Sequence, residues 1–331
     1  MADTTLDVLA IGNAIVDVLA QADDALIEAE GLTKGSMRLL EPDEAERLYA
    51  LMGPAREVSG GSAANTVAGI AALGGRCAFI GQVARDQLGT VFAHDIRAMG
   101  VGFDTPAREG HPPTARCLIL VTPDGQRTMN TSLGASTYLP AASVDPAVVA
   151  SAAILYLEGY MWDPAEPRAA LRAAMQAARD AGRRIAFTLS DAFVIDRHRG
   201  DFVELIDGGW FDILFANEAE IRSLQQTDDF EAAVAATAAK VPLLVCTRGE
   251  HGAIAVRGGE RTEVPAEPIA KVVDTTGAGD LFAAGFLAGQ AQGRSVKDSL
   301  TMGAIAAAEV ISHYGARPEA DLRALVAARL G

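Results

Sequence analysis

The 331-residue chain is half apolar, carries a formal net charge of −15, and contains no low-complexity linker or internal repeat. An acidic chain repels polyphosphate backbones and anionic bilayers, so we expect neither nucleic acid nor a membrane as a partner. Its three scattered cysteines, Cys77, Cys117 and Cys246, show neither disulfide nor metal-binding spacing and are expected to be small buried residues.

Short apolar runs alternate with Ala-rich segments, and the runs predict β-strands while the segments predict helices. The predicted strands are Leu6–Ile11, Cys77–Val83, Ile154–Leu157, Arg184–Leu189, Asp212–Ala216 and Leu243–Thr247. The predicted helices include Ser62–Leu73, Leu88–Met99, Ala165–Ala181 and Phe230–Ala239. Continuous apolar strands separated by helices are typical of a parallel sheet covered on both faces, so we expect an α/β fold with such a sheet.

Two extended stretches, residues 14–40 and 103–132, interrupt this alternation. The second contains Pro123-Asp124-Gly125 between apolar runs, which is typical of a tight turn. Together they predict a small β-sheet outside the main layer, which is either a lid over a site or an edge decoration. Residues 1–13, 41–102 and 133–331 then form the large domain.

The first residues, Met-Ala-Asp-Thr-Thr, are acidic and lack the apolar segment of a signal peptide. No apolar run approaches the ~20 residues that span a bilayer. We therefore expect a cytoplasmic protein.

Residues 274–280, with the sequence Asp-Thr-Thr-Gly-Ala-Gly-Asp, come directly before an apolar segment that predicts a helix. Gly277 and Gly279 permit backbone shapes, and a close ligand approach, that a side chain would hinder. The first N–H groups of a helix are unpaired and bind anions. Asp280, in the first turn, could then take a proton from a hydroxyl. The structural alternative is that Asp274 caps the helix and Asp280 only complements its dipole.

Four motifs, in chain order, resemble the ribokinase (phosphofructokinase-B) family of sugar and nucleoside kinases. They are Gly60-Gly61-Ser62-Ala63-Ala64-Asn65-Thr66, residues 212–220, residues 247–252 and residues 274–280. The resemblance extends from about residue 6 to residue 317, nearly the whole chain. It implies a ribokinase-like fold, which is a doubly wound α/β domain with a mostly parallel sheet and a β-sheet lid. It also implies ATP and Mg²⁺ as cofactors. Some relatives respond to a monovalent cation such as K⁺, and the resemblance leaves that open here.

The resemblance also implies roles for individual residues. Asp280 matches the family's catalytic base, and the N–H groups of Gly277, Ala278 and Gly279 match its anion hole. Residues that match ATP-binding positions are Asn217, Thr247, Gly249 and the lid residue Arg127. Asn217 and Glu220 match the element that organises Mg²⁺ mostly through water, which suits a hard cation that keeps its water. The structural alternatives are a capping box at Asn217–Glu220, a plain turn at Thr247–Gly249 and a solvated Arg127.

On the acceptor side, the matching residues are Asn13, Asp17, Gly61 and Asn65, and Tyr160 is expected to stack on a base. A carboxylate such as that of Asp17 accepts hydrogen bonds from two neighbouring hydroxyls, as sugars and ribosides present them. An exposed strand-end acid is the alternative for Asp17.

The acceptor itself is predicted from the branch of the family. Gly12-Asn13 followed by Asp17, and Leu189-Ser190-Asp191-Ala192-Phe193, are similar to the adenosine kinase branch, whereas Glu158 departs from it. We expect transfer of the ATP γ-phosphoryl group to a ribonucleoside, adenosine first, by a monomer or homodimer. The alternatives are a sugar kinase acting on ribose, fructose or a relative, and a catalytically silent binding protein, which would be expected to have lost Asp280.

Overall fold

A computed structural model describes residues 4–331. The first three residues of the predicted segment 1–13, and the Met-Ala-Asp start that argued against a signal peptide, lie outside this range. Within it the strands are β1 Leu6–Ile11, β2 Ile15–Gln21, β3 Met37–Leu39, β4 Ala55–Gly60, β5 Cys77–Ile80, β6 Ala115–Val121, β7 Arg127–Ser132, β8 Ala152–Glu158, β9 Arg184–Thr188, β10 Ile213–Asn217, β11 Leu243–Thr247, β12 Ala253–Arg257 and β13 Glu260–Val264.

The α-helices of the same range lie mostly between strands, and the last three follow β13 in succession. They are α1 Asp24–Ala29, α2 Pro42–Leu51, α3 Ser62–Ala72, α4 Gln87–Ala98, α5 Pro146–Ala150, α6 Ala165–Asp180, α7 Ala192–Asp207, α8 Glu218–Gln225, α9 Phe230–Ala238, α10 Ala278–Ala291, α11 Val296–Val310 and α12 Leu322–Leu330. None of the helices in residues 4–331 is both long and apolar enough to cross a membrane.

The main layer is an eight-stranded sheet in the order β13-β12-β11-β10-β9-β8-β1-β5. The six strands from β11 to β5 are parallel, and β12 and β13 add an antiparallel edge. These six parallel strands are the six that the apolar runs predict: β1 and β11 match at both ends, and the other four differ by up to three residues. The doubly wound, mostly parallel α/β prediction is therefore confirmed.

Each face of this sheet is buried against helices, which explains why its strands are apolar throughout. On β1, Val8 and Ala10 belong to the apolar cluster that includes side chains of α3, α10 and α11. Leu9 and Ile11 point to the opposite cluster, which includes side chains of α6, α7 and α9. Successive side chains of one strand thus enter two cores, and the loops at the strand ends remain for chemistry.

The second sheet has five strands in the order β3-β7-β6-β2-β4. Four of them come from the two stretches that predicted a lid. The fifth, β4, lies in segment 41–102, which the prediction had given to the large domain, so the boundary there needs correction. This strand, Ala-Arg-Glu-Val-Ser-Gly, pairs only with β2 and is exposed over its first half, so it lacks the apolar pattern that would reveal it.

Candidate active site

A tight turn at residues 274–277 leads into helix α10. Gly277 has φ +79°, and a Cβ there would lie 2.7 Å from the Cβ of Ala316, so both the conformation and the space require glycine. The buried Asp274 carboxylate fixes the turn, because its Oδ1 accepts hydrogen bonds from the N–H of Thr276 (3.1 Å) and from its hydroxyl (2.7 Å). Asp274 therefore stabilises the turn and does not cap α10, whose N-cap is Gly277.

At Gly279, neither the backbone conformation nor the available space requires glycine. It is exposed, its backbone is not left-handed, and an added Cβ would meet no heavy atom within 4 Å. The residue is therefore replaceable as far as the fold is concerned. Of the predicted anion-hole donors, the N–H of Ala278 already donates to the carbonyl of Thr275 at 3.2 Å. The predicted hole thus depends chiefly on the N–H groups of Gly277 and Gly279.

The Asp280 carboxylate is held by two side chains of α3. Oδ1 accepts a hydrogen bond from the Ser62 hydroxyl at 2.6 Å, and Oδ2 accepts one from Nδ2 of Asn65 at 2.9 Å. Removal from water raises the pKa of Asp280, while these two hydrogen bonds and the charge of Arg317 oppose the rise. A carboxylate with a raised pKa is a stronger proton acceptor than one in water.

Two adjoining cavities open beside the N-terminus of α10. The outer cavity, ≈ 600 Å³, is lined by the strand-end loop at Thr247 and Gly249, by Gly279, and by small apolar side chains of α11. The inner cavity, ≈ 330 Å³, is lined by Asp280 and by polar residues that follow strand ends, among them Asn217 and Glu220. Thr247 and Gly279 line both cavities, so the predicted ATP-binding residues Asn217, Thr247 and Gly249 share one continuous surface.

A third cavity, ≈ 170 Å³, lies between the small sheet and the loop that follows α11, and its lining includes Asn65, which binds Asp280. We call it the lid cavity. Its lining includes Asp17, Asn65, Arg127 and the apolar Leu19 and Ile119 of the small sheet. Burial raises the pKa of Asp17 to about 6, and the charges of Arg317 and Arg127 oppose the rise. Asp17 and Asn65, two of the predicted acceptor-binding residues, are thus brought together.

Asn217 and Glu220 form the capping box of α8. The Asn217 side chain accepts a hydrogen bond from the N–H of Glu220 at 2.9 Å, and the Glu220 carboxylate accepts one from the N–H of Asn217 at 3.0 Å. Burial raises the pKa of Glu220 to about 7. The structural alternative for this motif is therefore correct, and it is compatible with the predicted metal role because both residues also line the inner cavity.

Two predicted site residues line a different cavity from the other residues predicted to share their role. Arg127, predicted to be at the ATP phosphates, lines the lid cavity, where its Nη1 lies 2.6 Å from the Asp274 carboxylate and the guanidinium stacks on Tyr314. Tyr160, predicted to be on the acceptor side, lines the inner cavity, where its hydroxyl donates to the carbonyl of Ser190 at 3.0 Å. The pairing with buried Asp274 and the hydrogen bond to Ser190 hold these side chains in place.

Asn13 and Gly61 contribute their backbones. Gly61, at φ +99°, is the N-cap of α3, and a Cβ there would come within 2.2 Å of the carbonyl oxygen of Asn13. The N–H of Asn13 donates to Glu158 at 2.8 Å. Neither residue is among those that line the three cavities, and neither is Glu158.

Sequence reasoning missed two residues of this region, Ser62 and Arg317. Ser62 was visible within the Gly60–Thr66 motif but received no role. Arg317 gives no signal of its own, because a single arginine in a loop after a helix is usually a surface residue. It lines the lid cavity and lies close to both Asp17 and Asp280.

The arrangement matches a known family over most of the chain. Residues 26–322 match the pattern of the "pfkB family carbohydrate kinase". The chain belongs to this family. PfkB kinases are phosphotransferases that act on hydroxyl groups, and the enzyme assignment and the ribokinase resemblance are thereby confirmed. ATP use follows from the same membership.

Both nucleoside and sugar kinases occur among the similar proteins. The chain is 50% identical to the crystal structure of an adenosine kinase from Sinorhizobium meliloti, with a TM-score of 0.91 and coverage of 98% of this chain and 99% of that one. It is 48% identical to a probable sugar kinase from Rhizobium etli, with a TM-score of 0.92 and 98% coverage of both chains. It is also 28% identical to a Klebsiella pneumoniae fructokinase over 70% of this chain and 76% of that protein.

Proposed function

We propose that this pfkB-family kinase transfers the γ-phosphoryl group of ATP to the 5′-hydroxyl of adenosine, giving AMP. The observation that carries the proposal is that Asp280 lines the inner cavity and is hydrogen-bonded to a residue that lines the lid cavity. One of its carboxylate oxygens accepts a hydrogen bond from Ser62, which lines the inner cavity, and the other accepts one from Asn65, which lines the lid cavity. A base in that position can reach a hydroxyl on one side and a phosphoryl group on the other.

In the proposed reaction, the oxygen of the acceptor hydroxyl bonds to the γ-phosphorus while Asp280 takes the proton of that hydroxyl. The bond from that phosphorus to the β-phosphate oxygen breaks, and ADP leaves. Charge that builds on the transferring group faces the N-terminus of α10, where the Gly277 and Gly279 N–H groups and the helix dipole stabilise it. The small sheet excludes water from the lid cavity and so limits hydrolysis of ATP.

The donor set also fits Mg²⁺ held through water. Glu220 and Asn217 present oxygens to the inner cavity, but the capping box already engages both side chains. Among residues 4–331, no group of three or more His, Cys, Asp or Glu side chains could enclose a metal directly. A cation that keeps most of its water and is shared with phosphates suits these two residues, and it would neutralise phosphate charge.

The acceptor side supports a nucleoside. The Asp17 carboxylate packs on Gly60, where any Cβ would come within 2.5 Å of it, and it can accept from two ribose hydroxyls. Oδ1 of Asn65 is buried without a hydrogen-bond partner, so it is free to accept a hydrogen bond from the acceptor. Leu19 and Ile119 add an apolar surface to the same cavity, against which a base can pack. The Sinorhizobium meliloti adenosine kinase favours the same choice.

A sugar acceptor is the second candidate, and the size of the lid cavity favours it. The ≈ 170 Å³ available there is well below the other two cavities and suits a single sugar ring. The fructokinase and sugar kinase relatives favour this candidate as well.

The direct test is Mg·ATP-dependent phosphorylation of adenosine, inosine, guanosine, ribose and fructose, compared by kcat/KM. We expect adenosine to be phosphorylated best. Transfer to ribose or fructose but to no nucleoside would refute the acceptor and leave the kinase assignment intact.

Asp280→Asn tests the base. We expect kcat to fall by roughly 10²- to 10⁴-fold, the contribution of a general base, while ATP binding measured by calorimetry is retained. Asp212→Asn is the control, because the Asp212 carboxylate likewise accepts a hydrogen bond, from the N–H of Ile185 at 2.7 Å, but lies at the opposite ends of the strands from the candidate site. A folded Asp280→Asn enzyme with near-normal kcat would show that another group takes the proton.

A further inference from the structure

Residues 59–65 connect strand β4 of the small sheet to helix α3, and they carry both side chains that hold Asp280. We call this segment the 59–65 turn. Two charged residues from distant parts of the chain, Glu158 and Arg317, bind its backbone. Neither has a role in the proton transfer described above.

Glu158 ends strand β8 and has no exposed surface. Its Oε1 accepts the N–H of Asn13 at 2.8 Å, and its Oε2 accepts the N–H of Ala63 at 2.7 Å. A Cβ on residue 12 would come within 2.8 Å of this carboxylate, so Gly12 leaves room for it. The carboxylate therefore joins three elements, β1, β8 and the first turn of α3, where a negative charge also suits the helix dipole.

Arg317 binds the same turn through carbonyl groups. Its Nη1 donates to the carbonyl of Ala64 at 2.6 Å, and its Nε and Nη2 donate to the carbonyl of Ser59 at 3.1 and 2.9 Å. Nη2 also lies 3.2 Å from the Ser59 hydroxyl. The planar guanidinium thus spans both ends of the bend between β4 and α3, which a single ammonium group cannot do.

We propose that Glu158 and Arg317 are positioning residues for phosphoryl transfer. Glu158 holds the N–H of Ala63 and Arg317 holds the carbonyl of the next residue, so together they fix where Ser62 and Asn65 present their donors to Asp280. This proposal rests on the assignment of Asp280 as the base. It removes Glu158 from the groups expected to choose the acceptor, since both of its oxygens bind the main chain.

Arg317 has a second effect, on the charge of the base. The charged and titratable groups around Asp280 are Asp17 on β2, Glu158 on β8, Arg317 after α11, and the tyrosines Tyr156 and Tyr160. Arg317 is the cation of this set. Its loss raises the pKa of Asp280, whereas replacement by lysine keeps a positive charge and loses only the forked geometry.

The experiment compares Arg317→Lys with Arg317→Met, using whichever of adenosine or fructose the enzyme phosphorylates better. We expect kcat to fall about 10- to 100-fold in both, the cost of a base displaced by a fraction of an ångström, with KM for Mg·ATP changed by less than about twofold. The acid limb of the kcat/KM profile should move to higher pH in Arg317→Met but not in Arg317→Lys. Arg199→Lys is the control, since Arg199 also donates to a backbone carbonyl (Leu224, 2.7 Å) away from the site.

Glu158→Gln tests the other half. The glutamine side chain has the same shape as glutamate, but its NH₂ group would face a backbone N–H, so one of the two hydrogen bonds is lost. We expect a fall in kcat similar to that of the Arg317 variants, with Asp212→Asn as the control. In case this variant does not fold, the amide nitrogen shifts of Asn13 and Ala63 are followed by NMR in the wild-type protein. They should titrate together near pH 7, because burial raises the pKa of Glu158 to about 7.

Three results would overturn the proposal: folded Arg317→Lys or Glu158→Gln enzymes with unchanged kcat, equal losses in the control variants, or amide shifts that do not titrate. The base assignment fails separately. It is refuted by an active Asp280→Asn enzyme, whatever the Arg317 and Glu158 variants show.

Discussion

Gly277 and Gly279 stand two residues apart in the same turn, and we predict that replacing each by alanine has opposite consequences. Gly277→Ala should damage the fold. Its φ of +79° costs an alanine about 1–2 kcal/mol, and the new Cβ would lie 2.7 Å from Cβ and 2.9 Å from Cα of Ala316, an overpacking of about 1–3 kcal/mol. At about 2.1 cal/mol/K of unfolding entropy per residue over 331 residues, a loss of about 2–5 kcal/mol lowers Tm by roughly 3–7 °C.

Gly279→Ala should leave the fold intact and damage catalysis. Alanine is favoured over glycine in a helix by up to ~1 kcal/mol, and the added Cβ meets no heavy atom within 4 Å, so Tm should stay the same or rise slightly. The methyl group would, however, enter the space shared by the outer and inner cavities, where we place the phosphates. Displacing them by about 1 Å should lower kcat/KM for ATP by roughly 10²-fold.

Differential scanning fluorimetry of the two variants without ligand, followed by kinetics with ATP varied at saturating acceptor, separates these effects. A Gly279→Ala enzyme with wild-type kcat/KM for ATP would show that no ligand approaches this glycine, and the proposed anion site would fail. A Gly277→Ala protein as stable as the wild type would refute the strain argument.

Three further predictions follow from the buried charges. Asp17→Ala should raise KM for the acceptor by more than it raises KM for ATP, and equal effects would count against a sugar-binding role. Arg127→Met should lower stability in chemical denaturation by about 3 kcal/mol, because it leaves the buried Asp274 carboxylate without its cation; an unchanged midpoint would refute this. Burial raises the pKa of Asp17 to about 6 and those of Glu158 and Glu220 to about 7, so the native state holds these protons more tightly than the unfolded chain. Their stabilising contribution is complete at low pH and lost as pH rises through these values, so the Tm of the ligand-free protein should fall between about pH 5 and about pH 8. Glu220→Gln should flatten that dependence, and a Tm that rises over the range would contradict it.

The parts of the fold that the sequence predicts are those with a local signal. The six parallel strands are apolar runs because helices cover both faces of their sheet, and the turn before α10 contains glycines whose spacing is unusual in itself. Strand β4 has no such pattern, because its first two residues are exposed and its next two are only partly buried. Arg127 was expected at the phosphates, but its neighbour Asp274 is 147 residues away in the chain, and no local pattern predicts that pair.

Glu158 shows why the substrate is harder to predict than the reaction. From the sequence alone, an acidic residue such as Glu158, at the end of a strand near the acceptor side, suggests a group that binds substrate hydroxyls. In the fold, the residues that face it, Asn13 and Ala63, are 145 and 95 residues away, and they take both of its oxygens through backbone N–H groups. We therefore expect residues of the small sheet to select between a nucleoside and a sugar, because Leu19 and Ile119 line the same cavity as Asp17. A base needs that apolar surface and a free sugar does not, so polar substitutions at those two positions should reduce phosphorylation of adenosine far more than that of fructose.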